Sequence, residues 1–156
     1  MNIAHIEYSI CTKSLDIFVS GCKPPYCQGC CNPELISFKN GKGWLYVVGK
    51  IRKYLIEYDT LIDNIFLVGG SFNHQDVEQV EDFLNMFTEH TDAFKNKKIW
   101  LFAREELDEI QDIFKEKCHY IKCGAFIPEL RVPCHIQEGV RLATSNQIVY
   151  KKGIDY

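Results

Sequence analysis

A chain of 156 residues, 46% hydrophobic and 25% charged with a net charge of −3, has the length and apolar content for one domain around one core. Its lysines and arginines are scattered in small groups such as Lys50, Arg52 and Lys53, which excludes the concentrated basic face of a nucleic-acid binder. No apolar run is long enough for a bilayer, and the start "MNIAHIEYSICTKSLD" lacks the pattern of a secretory signal, so a cytoplasmic location with no membrane partner is expected.

Taken in chain order, the apolar pattern alternates between two periods. "LDIFVSG" at 15–21 is a short apolar run ending in a turn residue and predicts a buried strand. Trp44, Val48, Ile51, Leu55 and Tyr58 recur at helical spacing and predict a helix over about 43–58. "NIFLVGG" at 64–70 is a second buried strand. Val77, Val80, Leu84 and Phe87 mark a second helix that starts near Asn73 or His74. "KKIWLFA" at 97–103 is a third strand, followed by a helix marked by Leu107, Ile110 and Phe114. "CHYIKCG" at 118–124 is a fourth strand, and the tail from 124 to 156 predicts a final strand or hairpin around "GVRLATSNQIVYK". With no repeat or linker, residues 1–156 are expected to form a single α/β domain with a mainly parallel sheet. In such a sheet the loops that follow the strands share one edge, where ligands are handled. These are the stretch beginning at Cys22, the run Gly69-Gly70-Ser71, the run Ala103-Arg104-Glu105, and Cys123-Gly124.

The chemistry concentrates in "VSGCKPPYCQGCCNPE", which holds four of the eight cysteines. In a cytoplasmic chain such density points to metal or catalysis before disulfides. Cys22, Cys27 and Cys30 form a C-x4-C-x2-C set, with Cys31 directly after. A structural zinc site wants two close ligand pairs from separate turns, and the second pair is missing. Three thiolates on one loop suit a cubane iron–sulfur cluster that keeps one iron open, although zinc remains a rival. Cys31 is expected to be a bystander, because a fourth thiolate would close that iron. Cys11, Cys118, Cys123 and Cys134 are expected to be small buried hydrophobes.

This loop resembles the radical S-adenosylmethionine loop of glycyl-radical-enzyme activating proteins, in particular the group serving anaerobic ribonucleoside-triphosphate reductase. The match runs through Cys27-Gln28-Gly29-Cys30 and Cys31-Asn32-Pro33-Glu34, with one more residue between Cys22 and Cys27 than the family has. "FLVGGSF" is similar to the family's Gly-Gly-Glu-Pro loop, with Ser71 and Phe72 in place of Glu and Pro. "KCGAFIPEL" resembles an Asp-Gly-Pro-Phe segment with Cys123 in the Asp position. "RLATSNQIVY" matches a closing segment at Ser145, Asn146 and Gln147.

The resemblance implies a short partial (βα) barrel of radical S-adenosylmethionine type. It implies a [4Fe–4S] cluster on Cys22, Cys27 and Cys30, and S-adenosylmethionine held by Gly69, Gly70, Ser71 and Asn146. Arg104 and Arg141 are further candidates for polar contacts. Reductive cleavage of S-adenosylmethionine would yield a 5′-deoxyadenosyl radical that takes hydrogen from a glycine of a partner enzyme, with no side chain acting as a general base. The implied partners are anaerobic ribonucleoside-triphosphate reductase and an external flavodoxin- or ferredoxin-like one-electron donor. Two alternatives stand beside this reading: a small-molecule radical enzyme resembling carboxydeazaguanine synthase, and a non-catalytic cysteine-metal module.

Overall fold

Leu15, Ile17 and Val19 alternate with Asp16 and Phe18, and a period of two places the first set on one face of a strand. In the computed structural model, which describes residues 1–88 and 96–156, these residues lie on β2 (Ser14–Ser20). An antiparallel hairpin joins β2 to β1 (Asn2–Ser9), which also pairs with the two-residue β3 (Lys42–Gly43). Helix α1 (Trp44–Glu57) leads to β4 (Asn64–Gly69), and α2 (Val77–Thr88) is followed by β5 (Lys98–Phe102). A one-turn helix α3 (Asp112–Lys117) precedes β6 (Tyr120–Cys123). The tail forms a small ribbon of β7 (Ile136–Gln137) and β8 (Val140–Arg141), then β9 (Ile148–Lys151).

The seven strands of the main sheet run in the order β3-β1-β2-β4-β5-β6-β9. Its centre, β2, β4, β5 and β6, is parallel throughout, while β1 and β9 close the two sides antiparallel. The sheet is therefore mixed and open, where the sequence predicts a mainly parallel one. The difference lies in the terminal segments. β1 has one fully buried apolar residue, Ile3, and a half-exposed remainder, so it carries no clean apolar run to read. The third helix is also shorter than its apolar spacing suggests, because Leu107–Glu109 forms a separate 3-10 turn capped by Glu106.

Both faces of the sheet bury apolar side chains, which is why the central strands read as continuous apolar runs. On one face Leu15, Ile17, Val19, Ile65, Leu67, Ile99, Leu101 and Ile121 pack against Ile51 and Leu55 of α1, Phe83, Leu84 and Phe87 of α2, and Phe114 of α3. Each such side chain contributes roughly 1.5–3 kcal/mol by leaving water. Among the described residues the other face carries no helix. There Phe66, Trp100 and Tyr120 form a ladder, with Trp100 stacked on Tyr120 at 4.1 Å, beneath Val140, Leu142 and Val149 of the tail. Towards the ends of the parallel strands this cover stops, and Phe18, Val68 and Phe102 are half-exposed. Among the described residues no helix is long and apolar enough to cross a membrane.

Strands β2 and β4 are locked together at their last residues. Gly70 N–H donates to Val19 O at 2.7 Å and Ser71 N–H to Gly21 O at 2.9 Å. A Cβ on Gly70 would lie 2.8 Å from Gly21 O and 3.0 Å from Val19 O, both backbone atoms with no freedom to swing aside. Gly70→Ala should therefore destabilise the fold by about 1–3 kcal/mol, the usual cost of forcing extra volume into packed structure. Urea unfolding measures this, and an unchanged midpoint would mean that the two strand ends separate freely.

Candidate metal centre

The cysteine loop starts where β2 stops. Gly21 adopts φ +109° and lies under Phe38 so closely that a Cβ would be 2.2 Å from the ring. Only glycine takes that conformation at little cost, and it turns the chain sharply out of the sheet. Gly21 N–H donates to Leu35 O at 2.7 Å and Cys22 N–H to Ile36 O at 3.0 Å, so both ends of the loop are tied together. Within it, Cys30 N–H donates to Cys27 O at 3.3 Å and forms the turn that holds the second and third thiols.

Cys22, Cys27 and Cys30 are half-buried free thiols, and Cys31 is exposed. Burial pushes the Cys22 thiol up to about 11; Arg104 opposes this, and Cys27 and Cys30 add to it, so the three sulfurs lie within electrostatic reach of one another. Among the described residues no group of three or more His, Cys, Asp and Glu side chains is drawn together as a site for a metal ion. Three soft donors spread around one loop, with no second pair, suit the separated corners of a multi-iron cluster better than a closed four-ligand zinc knuckle. The remaining cysteines divide. Cys118 and Cys123 are buried as expected, and burial pushes both upward, Cys123 to about 12, which keeps them as inert thiols. Cys11 and Cys134 are exposed, against the sequence expectation, because Cys11 lies in a turn and Cys134 in an irregular segment, both outside the core.

A polar network clamps the start of the loop. Lys23 N–H donates to His74 Nδ1 at 2.8 Å, so that nitrogen carries no proton and Nε2–H faces Glu105 Oε1 at 2.8 Å. Arg104 bridges the remaining sides, with Nε 2.9 Å from the same carboxylate oxygen and Nη2 3.0 Å from Lys23 O. Both backbone groups of Lys23, the residue after Cys22, are thereby held by side chains from the loops after β4 and β5. Gln75 completes the clamp from beneath, its Nε2 donating to Ser71 O at 2.9 Å and Ser20 O at 3.2 Å.

The residues assigned to S-adenosylmethionine fall on the same edge. Gly69 ends β4, and Gly70 and Ser71 follow it against the first residue of the cysteine loop. Ser71 is buried and its Oγ has no partner among the described residues. Phe72 turns into the core against Phe83 and anchors the loop there. Asn146 sits between β8 and β9, with Nδ2 donating to Ala125 O at 2.9 Å and a buried Oδ1 that has no partner. Arg104 belongs to the site, whereas Arg141 is exposed on the ribbon and donates to Pro133 O. The sequence reading missed His74, Gln75, Glu105 and Lys122, although each lies at or just after the end of a central strand and could have been sought there.

A family model described as a 4Fe-4S single cluster domain matches residues 13–131, more than half of the chain and the whole of the cysteine loop. No curated protein and no solved structure matches the chain.

The clamp makes a pH-dependent contribution to stability. Burial alone would raise the Glu105 carboxyl, but hydrogen bonds from His74, its own backbone N–H and Arg104 outweigh it and hold the group at about 2, below the ordinary 4.5. A carboxyl depressed on folding stabilises the folded state above its unfolded value, and that stability is lost as the pH falls through the folded value. The depression corresponds to roughly 3 kcal/mol at neutral pH. Glu105→Gln should therefore be less stable than the parent at pH 7, and the gap should narrow between about pH 4.5 and 2. Denaturant titrations across that range check both points; a gap independent of pH would refute the ionised carboxylate.

Proposed function

The chain belongs to the family of 4Fe-4S single cluster domains, and from that premise we propose that it is a radical S-adenosylmethionine activase. In this reading Cys22, Cys27 and Cys30 hold the cluster, and the open sheet is a short partial (βα) barrel of that type. The observation that carries the reading is a convergence. One edge of the parallel centre brings together a three-thiol loop tied at both ends, the half-buried backbone of a glycine pair, and a sheet face without a helix among the described residues that carries half-exposed apolar side chains.

When bound, the cluster and S-adenosylmethionine supply the one-electron reductive cleavage that makes hydrogen abstraction possible. What the chain supplies is binding, orientation and exclusion of water. Gly69 and Gly70 offer backbone carbonyls to the amino group of S-adenosylmethionine, at positions where no side chain intervenes. The unpartnered Ser71 Oγ and Asn146 Oδ1 are buried polar atoms of the kind that a polar ligand satisfies, and left alone each costs about 1–3 kcal/mol. Phe18, Val68 and Phe102 give the helix-free face an apolar lining that keeps water from a reactive species. No proton has to move at a side chain. The hydrogen acceptor's target is a glycine of a partner enzyme, anaerobic ribonucleoside-triphosphate reductase, with the electron delivered by a flavodoxin- or ferredoxin-like donor in the cytoplasm.

Anaerobic reconstitution with iron and sulfide, followed by electron paramagnetic resonance of the reduced protein, tests the reading. About four irons per chain and a signal altered by S-adenosylmethionine are expected. Stoichiometric zinc without that response would remove it. Ala at Cys22, Cys27 or Cys30 should abolish the cluster and Cys31→Ala should retain it; loss of the cluster in Cys31→Ala would show that the ligands are assigned wrongly. A glycyl-radical signal that arises only with the reductase present separates the activase from a small-molecule enzyme.

A further inference from the structure

Among the described residues two lysines are buried, and they are treated differently. Lys97, 6% exposed, has its ammonium 2.7 Å from the carboxylate of Asp59. Lys122, 9% exposed, has only two backbone carbonyls, Gly124 O at 2.6 Å and Ala103 O at 3.3 Å. Among the described residues it makes no ion pair, and Glu105, the carboxylate of the neighbouring loop, is already engaged with His74 and Arg104. An ammonium withdrawn from water with no counter-charge costs several kcal/mol, so a buried lysine without an acid partner needs an anion from elsewhere.

Its position indicates which anion. Strand alternation puts Lys122 beside Tyr120 on the helix-free face, one step nearer the edge where the cysteine loop lies. The chain after Lys122 then supports that loop directly. A Cβ on Gly29, inside the Cys27–Cys30 turn, would meet the Phe126 ring at 3.4 Å and Pro128 at 3.9 Å. Burial draws the Lys122 ammonium down to about 8, while negative charge at Cys27, Glu105 and Cys31 acts to pull it back up, so it lies within electrostatic reach of the loop. Cys123 is itself held as a neutral thiol by burial, which leaves the cysteine loop, once it carries thiolates, as the uncompensated negative charge in reach.

We propose that Lys122 is the counter-cation of the loaded cysteine loop and sets the reduction potential of the cluster held there. The inference rests on the iron–sulfur reading above. The step concerned is a one-electron transfer from an external donor; no bond is made or broken and no proton moves, but the loop and its cluster become more negative by one electron. A fixed ammonium beside them stabilises the reduced form more than the oxidised form, which raises the potential. Lys122 thus acts through the cluster, as an electrostatic positioning residue, and touches no substrate.

Redox titration with dithionite under anaerobic conditions, followed by electron paramagnetic resonance, tests this on the reconstituted parent, Lys122→Met and Lys122→Arg. Lys122→Met should load the same iron and titrate at a more negative potential, and Lys122→Arg should return towards the parent. Equal potentials in the parent and Lys122→Met, or a rise in Lys122→Met, overturn the inference while leaving the cluster intact. If Lys122→Met loads no iron, restoration of both loading and potential in Lys122→Arg supports the charge. Failure of Lys122→Arg as well assigns Lys122 to packing and overturns it. A parent chain that loads no iron overturns the iron–sulfur reading and this inference together.

Discussion

The contact between the ends of β2 and β4 is the constraint from which the site follows. Two backbone hydrogen bonds, Gly70 to Val19 and Ser71 to Gly21, join strands whose chains then diverge in different directions. The approach is closer than any side chain permits at Gly70, so the glycine pair and the cysteine loop share one surface as a matter of packing. Because β2, β4, β5 and β6 are parallel, the loops carrying Arg104, Glu105 and Gly124 reach the same edge. Phe72 and Gln75 then fix the glycine loop from opposite sides, one through the apolar core and one through three backbone carbonyls.

The buried polar groups at that edge fall into two kinds. His74, Arg104 and Glu105 Oε1 engage one another and the backbone of Lys23, while Glu105 Oε2 is buried without a partner among the described residues. Such a network rigidifies what it touches, because loosening any member strands the others. Ser71 Oγ, Asn146 Oδ1 and the Lys122 ammonium are not compensated in the same way. Folding alone gives no reason to keep them, and all three lie beside the thiol loop or the segment that supports it.

Much of the central fold was legible in the sequence, because strands buried on both faces are continuous apolar runs and the helices between them carry a regular apolar stripe. Ile65 to Leu67 and Ile99 to Leu101 are such runs, and each was placed within a residue or two of its observed strand. β1 was not legible: its half-exposed residues offer no period, and only pairing with β2 makes it a strand. The thiols were legible because spacing along a loop is a local property. The clamp was not, since His74, Arg104 and Lys23 are distant in sequence and meet only through the parallel register. The exposure of Cys11 and Cys134 was hidden for a related reason, as composition says nothing about which turns lie outside the core.

The same clamp accounts for the longer first gap of the cysteine set. Lys23 is held at both backbone groups, which fixes the chain immediately after Cys22. The next cysteine is fixed separately, by the Cys27–Cys30 turn resting on Phe126 and Pro128. Between these anchors Pro24, Pro25 and Tyr26 are exposed. The four residues "KPPY" thus start from a clamped Lys23 and cross an exposed stretch to the Cys27–Cys30 turn, so the sheet edge anchors the loop at both ends.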